Sequence, residues 1–489
     1  MHRALIFSLA ILSCLGTVRA EEASGYRDMV SVLHVHSDLV DGSSPPAALA
    51  AAARAAGLDA LFITDHFLES ITYAPWPLGN FMGVTYSRPS VARLGIDHYL
   101  DRLRRAERGA PGLLVVPGLE VTPYARWSGS FLTGDLALHD WHRHALILGL
   151  EDGRRLARLP VAGNRRGGIY GAWSLPFLIP VAALAWAVRR ISRPGFREMR
   201  LRLFTVRRRR FPGAAILVGL AALACLVIGY PYRVERFSPV GADPGEAPLR
   251  DLVDWAGRMG GIVVWAHPEA AARDTVRGVT VDTLPYPEIV RSTGATVFSA
   301  LPEGTETLIP AGGIWDRSLA DYLAGRRPAP LFAVAESDEH RGARDIDFNL
   351  LQTVFLVHSR SHEALIEALR AGRCYARWTP RGRTPLRLAG WSVEVAGSPA
   401  QTAIAGETLA TGGEVLVNAL IEGEEVAVVA RLIRDGTVIR TLRGVPPLDV
   451  AVSDRVDHPA SYRLDVEGPY PWRLLSNPIF VVPSGPAPG

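Results

Sequence analysis

From residue 25 onward the apolar positions alternate between two textures. "MVSVLHVHS" (29–37) is a β-branched run of strand length, and "PPAALAAAARAAGL" reads as a helix opened by proline. "DALFITDH" returns to strand, "RLGIDHYLDRLRRAERG" is an amphipathic helix, and "LLVVPGLEV" and "HALILGL" are strands again. The alternation resumes with the helix "PLRDLVDWAGRMGG". The strands "IVVWAHP", "ATVFSA", "LFAVAESDEH" and "QTVFLVHS" follow, and then the helix "SHEALIEALRAGR". Repeated β–α alternation with apolar strands predicts a parallel sheet or barrel.

From about residue 385 the texture changes. "WSVEVAG", "EVLVNALIEG", "EVAVVARLIRDGTVIRTLRG" and "SYRLDVEG" are short alternating runs separated by glycine and proline, and "RDGT" has hairpin-turn chemistry. This predicts a small all-β sandwich over 385–489. No solenoid period is present.

Three apolar runs interrupt this pattern. "MHRALIFSLAILSCLGTVRAEE" has a basic start, an apolar stretch and small residues before Glu21, which predicts a signal peptide over 1–20. An uncleaved anchor, or a lipoprotein site at Cys14, are the alternatives. Runs 171–188 and 212–230 lack charges and approach the length of a membrane span; a pair of buried helices is the alternative. Between them, 189–210 carries ten arginines and one acid, Glu198. The positive-inside rule places this link in the cytoplasm and both flanking portions outside it. Arg154, Arg155, Arg158, Arg165 and Arg166, on the outer side, oppose that assignment but are fewer. The expected location is a bacterial inner membrane, with the chain's folded parts on the periplasmic side.

Composition refines this picture in two ways. The chain has 489 residues, 48% hydrophobic and 21% charged, enough for two or three folded units. Its pI is about 9.1 and its formal net charge +4. With the arginine-rich link and the N-terminal Arg3 and Arg19 set aside, the remainder is net acidic. No nucleic-acid surface is indicated. Three cysteines, two of them in apolar runs, exclude a disulfide framework or a zinc-finger spacing.

The polar residues at the strand ends are the candidate chemistry. His34 and His36 end the first strand and Asp41 follows in a turn. Asp65 and His66 end the second strand, and Glu120 ends the third. His144 opens "HALILGL", His267 ends "IVVWAHP", and Asp338 and His340 end "AVAESDEH". In a β/α barrel the strand C-termini converge on one face. A lone strand-end histidine is usually a satisfied polar residue, and His98, His139, His142, His358 and His362 are placed in that class. Five strand ends that each carry His or an acid are hard to obtain by chance. Nitrogen and carboxylate donors without thiolates suit zinc, manganese or iron. Arg88, Arg126 and Arg341 lie near these motifs, and the pattern does not choose among them as a substrate-binding group.

"LHVHSDLVDG", "AAGLDALFITDH", "PGLEVT", "HALILGL", "GGIVVWAHP" and "ESDEH", in this order, resemble the successive motifs of the PHP (polymerase and histidinol phosphatase) superfamily of metallohydrolases. "LSNPIFVV" after a small β domain is similar to the C-terminal region of its carbaryl-hydrolase-like (CehA/McbA-type) branch. The resemblance implies an α/β fold. A distorted (β/α)7 PHP barrel would occupy 25–150 and 241–384. It would be interrupted over 151–240 by a transmembrane helical hairpin and followed by the β-sandwich. It also implies two or three divalent metal ions. The first would be held by His34, His36, Glu120 and Asp338. The second would use Glu120 as a bridge with His144 and His267, His142 being the competing donor two residues from His144. The third would use Asp41, His66 and His340. Glu120, Asp338, His340 and Asp65 are the expected catalytic residues, with Asp65 and Ser337 orienting ligands.

The implied activity is that of a phosphoesterase using a metal-bridging hydroxide on a small-molecule phosphate ester. Its active site would lie outside the cytoplasm, and two helices would hold it to a lipid bilayer. The alternatives are a carbamate, ester or amide hydrolase of the carbaryl-hydrolase type, or a non-catalytic membrane sensor. A complete ligand set counts against the sensor.

Overall fold

The computed structural model describes residues 25–484, apart from 69, 74–83, 131, 194, 202–203, 210, 231 and 277. The expected signal segment, with Cys14, lies outside the described residues.

Seven strands form the part of the sheet that carries the strand-end histidines. They are β1 (Arg27–Val35), β2 (Ala60–Ile63), β3 (Leu114–Val121), β4 (Ala145–Leu148), β5 (Ile262–Trp265), β6 (Val297–Leu301) and β7 (Phe332–Ala335). They are hydrogen-bonded in this order. β1, β2 and β3 are mutually parallel, as are β5, β6 and β7. β4 is antiparallel to both its neighbours. β4 is reached from β3 without a helical crossover, so the chain returns in the opposite direction.

The sheet closes on itself between β7 and β1. Ser337 N–H donates to Leu33 O (2.9 Å), Glu339 N–H to His34 O (3.1 Å) and His36 N–H to Glu339 O (2.9 Å). Further down the seam, side chains stand in for a missing strand. Thr353 Oγ1 accepts from Ala335 N–H and donates to Ala335 O, both at 2.9 Å. Asn477 does the same for Ala333, at 2.7 and 3.0 Å. Every buried main-chain group needs a partner, and these two residues supply them where no ladder runs.

Helices α1 (Pro46–Ala55), α2 (Ile96–Gly109), α5 (Ala247–Met259), α6 (Ile314–Leu323) and α7 (His362–Ala371) accompany the strands, and α3 (Leu178–Ser192) and α4 (Gly213–Gly229) form the insertion. α2 shows how the pattern sets the packing. Ile96, Tyr99, Leu100, Leu103 and Ala106 recur at helical spacing and are buried. The Tyr99 hydroxyl lies 3.1 Å from the carbonyl oxygens of both Ile63, at the end of β2, and Gly118, within β3. α7 ends at Gly372 with φ +71°, and a Cβ there would lie 2.3 Å from the Phe332 ring. Only glycine fits.

β8 (Leu351–Val357) and β9 (Cys374–Trp378) were expected to belong to the second half of the barrel. Instead they lead the sheet away from it. β8 pairs antiparallel with the start of β1, β9 with β8, and β14 (Arg473–Ser476) with β9. The sheet then continues through β13 (Ala460–Glu467) and β12 (Val428–Arg434). The opposing layer is a four-stranded sheet containing β10 (Arg387–Val395) and β11 (Gly413–Glu422). Val415, Val417, Ala419 and Ile421 of β11 face inward at period two. The sandwich predicted after residue 385 is therefore present. The expected boundary at 384/385, however, runs across a continuous sheet, because the free edge of β9 is paired with β14. Arg463 of β13 adds a second tie, with a buried two-bond pair to Asp316 of α6 at 2.6 Å each.

In the insertion, a short 3-10 turn leads into α3, and a two-stranded ribbon (Phe196–Leu201 with Phe204–Arg209) joins α3 to α4. The helices touch where a Cβ on Gly219 would lie 3.2 Å from that of Ala187. Among the described residues one helical stretch, Ser174–Ser192, is long and apolar enough to cross a membrane, and Gly213–Gly229 is apolar but shorter.

Candidate metal centre

The ligand positions depend on backbone that regular strands do not supply. β1 shifts register between Val32 and Val35, and His34 sits there at φ +67°. His267 follows β5 at φ +31°, and Asp338 follows β7 at φ +44°. Positive φ at non-glycine residues costs on the order of 1–3 kcal/mol each, and it persists only where the surroundings over-determine it. The seam bond from Glu339 N–H holds His34, and a Glu336 carboxylate oxygen holds the His267 N–H. The simple rule that residues i and i+2 share a face does not describe His34 and His36. A bulge brings the two imidazoles to one place.

Glu120 stands at the centre and is 1% exposed. Its Oε1 lies 3.3 Å from His34 Nε2, 2.6 Å from His144 Nδ1 and 3.5 Å from His267 Nε2. Its Oε2 lies 3.3 Å from His36 Nε2 and 3.0 Å from His66 Nδ1. Asp338 Oδ1 is 3.4 Å from the Nε2 atoms of both His34 and His36. Despite these approaches, both Glu120 oxygens, His34 Nε2, His36 Nε2 and His144 Nε2 are buried without a hydrogen-bond partner. The atoms converge without aligning for mutual hydrogen bonds, an arrangement that suits a shared cation.

Three groups of donor atoms could each hold an ion: His34, His36, Glu120 and Asp338; His36, Asp41, His66 and His340; and His66, Glu120 and His144. The first set of residues expected for a metal is thus brought together. Asp41, His66 and His340 are also brought together, with His36 added. Around Glu120 and His144 the third member is His66, while His267 stands outside that group, 3.5 Å from Glu120. His142 meets His144 edge-on at 5.7 Å and belongs to none of the three. His340 stacks on His36 at 3.9 Å and lies 3.2 Å from Asp41 Oδ2.

The electrostatics are those of a tight ring of opposite charges. Burial pushes the Glu120 carboxyl up, but His144, His66 and His34 outweigh it and hold the group well below the usual range. Burial likewise opposes charge on His34, yet Glu120 and Asp338 raise it to about 10. His144 is pushed down to about 4, mainly by burial.

Two expected residues act from behind the ring. Asp65 accepts from Ser37 N–H and Ser37 Oγ–H, both at 2.6 Å, so its carboxylate steadies the turn after His36. Burial raises it to about 6 against those bonds. Ser337 contributes its N–H to the seam. Glu336, which sequence reasoning passed over, orients the ring directly. Its Oε2 is 2.9 Å from His34 Nδ1, which leaves His34 Nε2 aimed at Glu120. The signal was available: Glu336 precedes Asp338 by two positions in "ESDEH". Arg341 is held by Glu339 through both its backbone and its guanidinium, and Arg126 faces Asp243 at 3.7 Å.

Segments from the ligand ends of β3 and β5 build a small sheet beside the site, with strands Arg126–Ser128, Ala137–His139, Val279–Thr283 and Ala272–Val276. His139 ties three of these strands together, between Ser128 Oγ (2.7 Å) and Asp282 Oδ1 (2.6 Å).

No protein-family model matches the chain, and no curated protein sequence matches it. Among solved structures it is similar to a two-domain protein from Bacteroides vulgatus ATCC 8482, described as containing a predicted PHP-like metal-dependent phosphoesterase. The identity is 13%, coverage is 90% of this chain and 91% of that one, and the TM-score is 0.35. It is also similar to a candidate metal-dependent phosphoesterase from Bifidobacterium adolescentis ATCC 15703, with 14% identity, coverage of 63% and 87%, and TM-score 0.26. An amidohydrolase from Chromobacterium violaceum with bound sulfate and no metal shows 18% identity, coverage of 65% and 89%, and TM-score 0.25. These likenesses are distant, and what the site can do follows from its own side chains.

Proposed function

We propose that this chain is a PHP-type metal-dependent hydrolase of phosphate esters. The observation that carries the reading is the Glu120 carboxylate, buried with both oxygens unpartnered among five imidazoles. His34, His36, Glu120 and Asp338 would hold one divalent ion, and Asp41, His66, His144, His267 and His340 complete the donors for one or two more. Zinc, manganese or iron suits this nitrogen and oxygen set. When bound, such ions activate water near neutral pH and offset charge on a phosphoryl group. The chain's own residues orient and protect. Glu336 fixes the His34 ring, and Asp65 fixes the turn that presents His36. His340, 39% exposed at the rim, is placed to serve the leaving-group oxygen.

In this reading α3 and α4 hold the enzyme in a membrane. Ile179, Trp186, Leu217, Leu220, Leu223 and Val227 are exposed on them, and so many exposed apolar side chains suit lipid. Arg189, Arg190 and Arg193 at the end of α3 suit a cytoplasmic flank.

The test is to purify the full chain in detergent, measure bound metal, and assay a phosphomonoester, a phosphodiester and an aryl carbamate beside Glu120→Ala and Asp338→Ala. Metal-dependent phosphate release that both variants lose is expected. Absence of metal, with no difference from the variants, overturns the hydrolase. Carbamate turnover without phosphate turnover replaces it with a carbamate hydrolase.

A further inference from the structure

The small sheet beside the metal centre carries a second cluster of reactive groups. Its strands lie in the order Ala272–Val276, Val279–Thr283, Ala137–His139 and Arg126–Ser128. Successive side chains of a strand point to opposite faces. Trp127, Leu138 and Val281 are buried together on one face. Ser128, His139 and Asp282 meet on the other. The register brings them there. Arg126 pairs with His139, so Ser128 is the diagonal neighbour of that histidine, and Asp282 pairs with it from the opposite side.

The three side chains meet in a defined order. Asp282 Oδ1 lies 2.6 Å from His139 Nδ1, and His139 Nε2 lies 2.7 Å from Ser128 Oγ. A carboxylate only accepts hydrogen bonds, so Nδ1 carries the ring hydrogen and Nε2 keeps its lone pair. The Ser128 hydroxyl then donates to Nε2, which is the position of a general base beside a nucleophile. Tying strands together requires bonds, but not this order of hydroxyl, imidazole and carboxylate. The His139 and Asp282 side chains are 25% and 27% exposed, so a small molecule can reach them. None of the three belongs to the donor groups around Glu120.

Arg126 adds positive charge to the same face. It stands two residues before Ser128 and in register with His139. Its Nε has no hydrogen-bond partner, and Asp243 is 3.7 Å from it. A cation there favours negative charge building on a nearby carbonyl oxygen.

We infer that Ser128, His139 and Asp282 form a second hydrolytic site, independent of metal, that acts on small carboxylic esters. Ser128 Oγ attacks the ester carbonyl carbon, and its proton passes to His139 Nε2. Asp282 stabilises the imidazolium that forms. The C–O bond to the alcohol breaks, and the departing oxygen takes the proton from Nε2. Water then adds to the acyl carbon with the same base, which releases the carboxylic acid and restores Ser128. This activity goes beyond the phosphoesterase reading and does not depend on it.

The experiment uses the full chain in detergent, stripped of metal and kept in chelator. An alkyl fluorophosphonate probe and p-nitrophenyl butyrate are applied to wild type, Ser128→Ala and His139→Gln, with circular dichroism as the check on folding. The probe should attach to the peptide containing Ser128. Labelling and p-nitrophenol release should fall on the order of 100-fold in His139→Gln and to background in Ser128→Ala. A wild-type chain that carries no probe on Ser128 overturns the site, whether or not the variants fold. Equal labelling rates in wild type and His139→Gln overturn it as well. Ester turnover that appears only with added manganese assigns that turnover to the metal centre and likewise overturns the second site.

Discussion

The side-chain amide of Asn477 hydrogen-bonds both main-chain groups of Ala333, accepting from its N–H at 2.7 Å and donating to its O at 3.0 Å. It also donates to Cys374 O at 3.1 Å. One residue of the sandwich thereby completes the open edge of β7, the strand that leads to Glu336 and Asp338. Asn477→Leu keeps the volume but leaves three buried groups without partners. A loss of about 3 kcal/mol in urea-unfolding stability is expected, with reduced metal content. A loss below about 1 kcal/mol would show that the seam closes without Asn477.

Glu336 sets the orientation of His34 without sitting among the three donor groups. Glu336→Gln should fold and keep its circular dichroism spectrum, while metal affinity falls about 10–100-fold. Competition titration with a chromogenic chelator measures this. Unchanged affinity would mean that the bulge alone orients His34.

His362 gives a pH dependence away from the metal centre. Its Nε2 lies 2.7 Å from Glu107 Oε2 and its Nδ1 3.5 Å from Glu151 Oε1, joining α7 to α2. The hydrogen bond to Glu151 raises it above its ordinary range, against burial. A raised histidine binds its proton more tightly in the folded chain. Its contribution is therefore full below the unfolded value of roughly 6.5 and is lost as pH rises through the folded value. The pair is partly exposed, so the effect is at most about 1 kcal/mol. His362→Gln should flatten the stability profile above about pH 6.5, where the raised histidine loses its proton. An identical slope in both proteins refutes the coupling.

The arginine-rich ribbon reports topology. Alkaline phosphatase fused within 197–207 should be inactive in cells, and a fusion at 241 should be active. The reverse pattern would put the metal centre in the cytoplasm.

The strands and helices around the ring were legible because each is a local pattern of one period. "FITDH" and "VVPGLE" show a strand and its terminal ligand within a few residues of one another. The insertion was legible as apolar runs between arginines, although among the described residues only Ser174–Ser192 reaches spanning length. Less legible was anything whose partner is remote. Glu336 meets His34 across 302 positions and Asn477 meets Ala333 across 144. Neither residue has a local periodicity that reveals its bond. β8 and β9 have the same apolar texture as ring strands, and only pairing shows that they carry the sheet into the sandwich.

The sequence by itself determined which residue types stand at the strand ends, and with them the kind of chemistry available. The tertiary structure decided how they converge: a left-handed His34, a seam completed by Thr353 and Asn477, and both His66 and His267 brought up to Glu120 and His144. The reason is that periodicity encodes which face of a strand is buried, whereas closing a ring depends on main-chain partners supplied from distant parts of the chain.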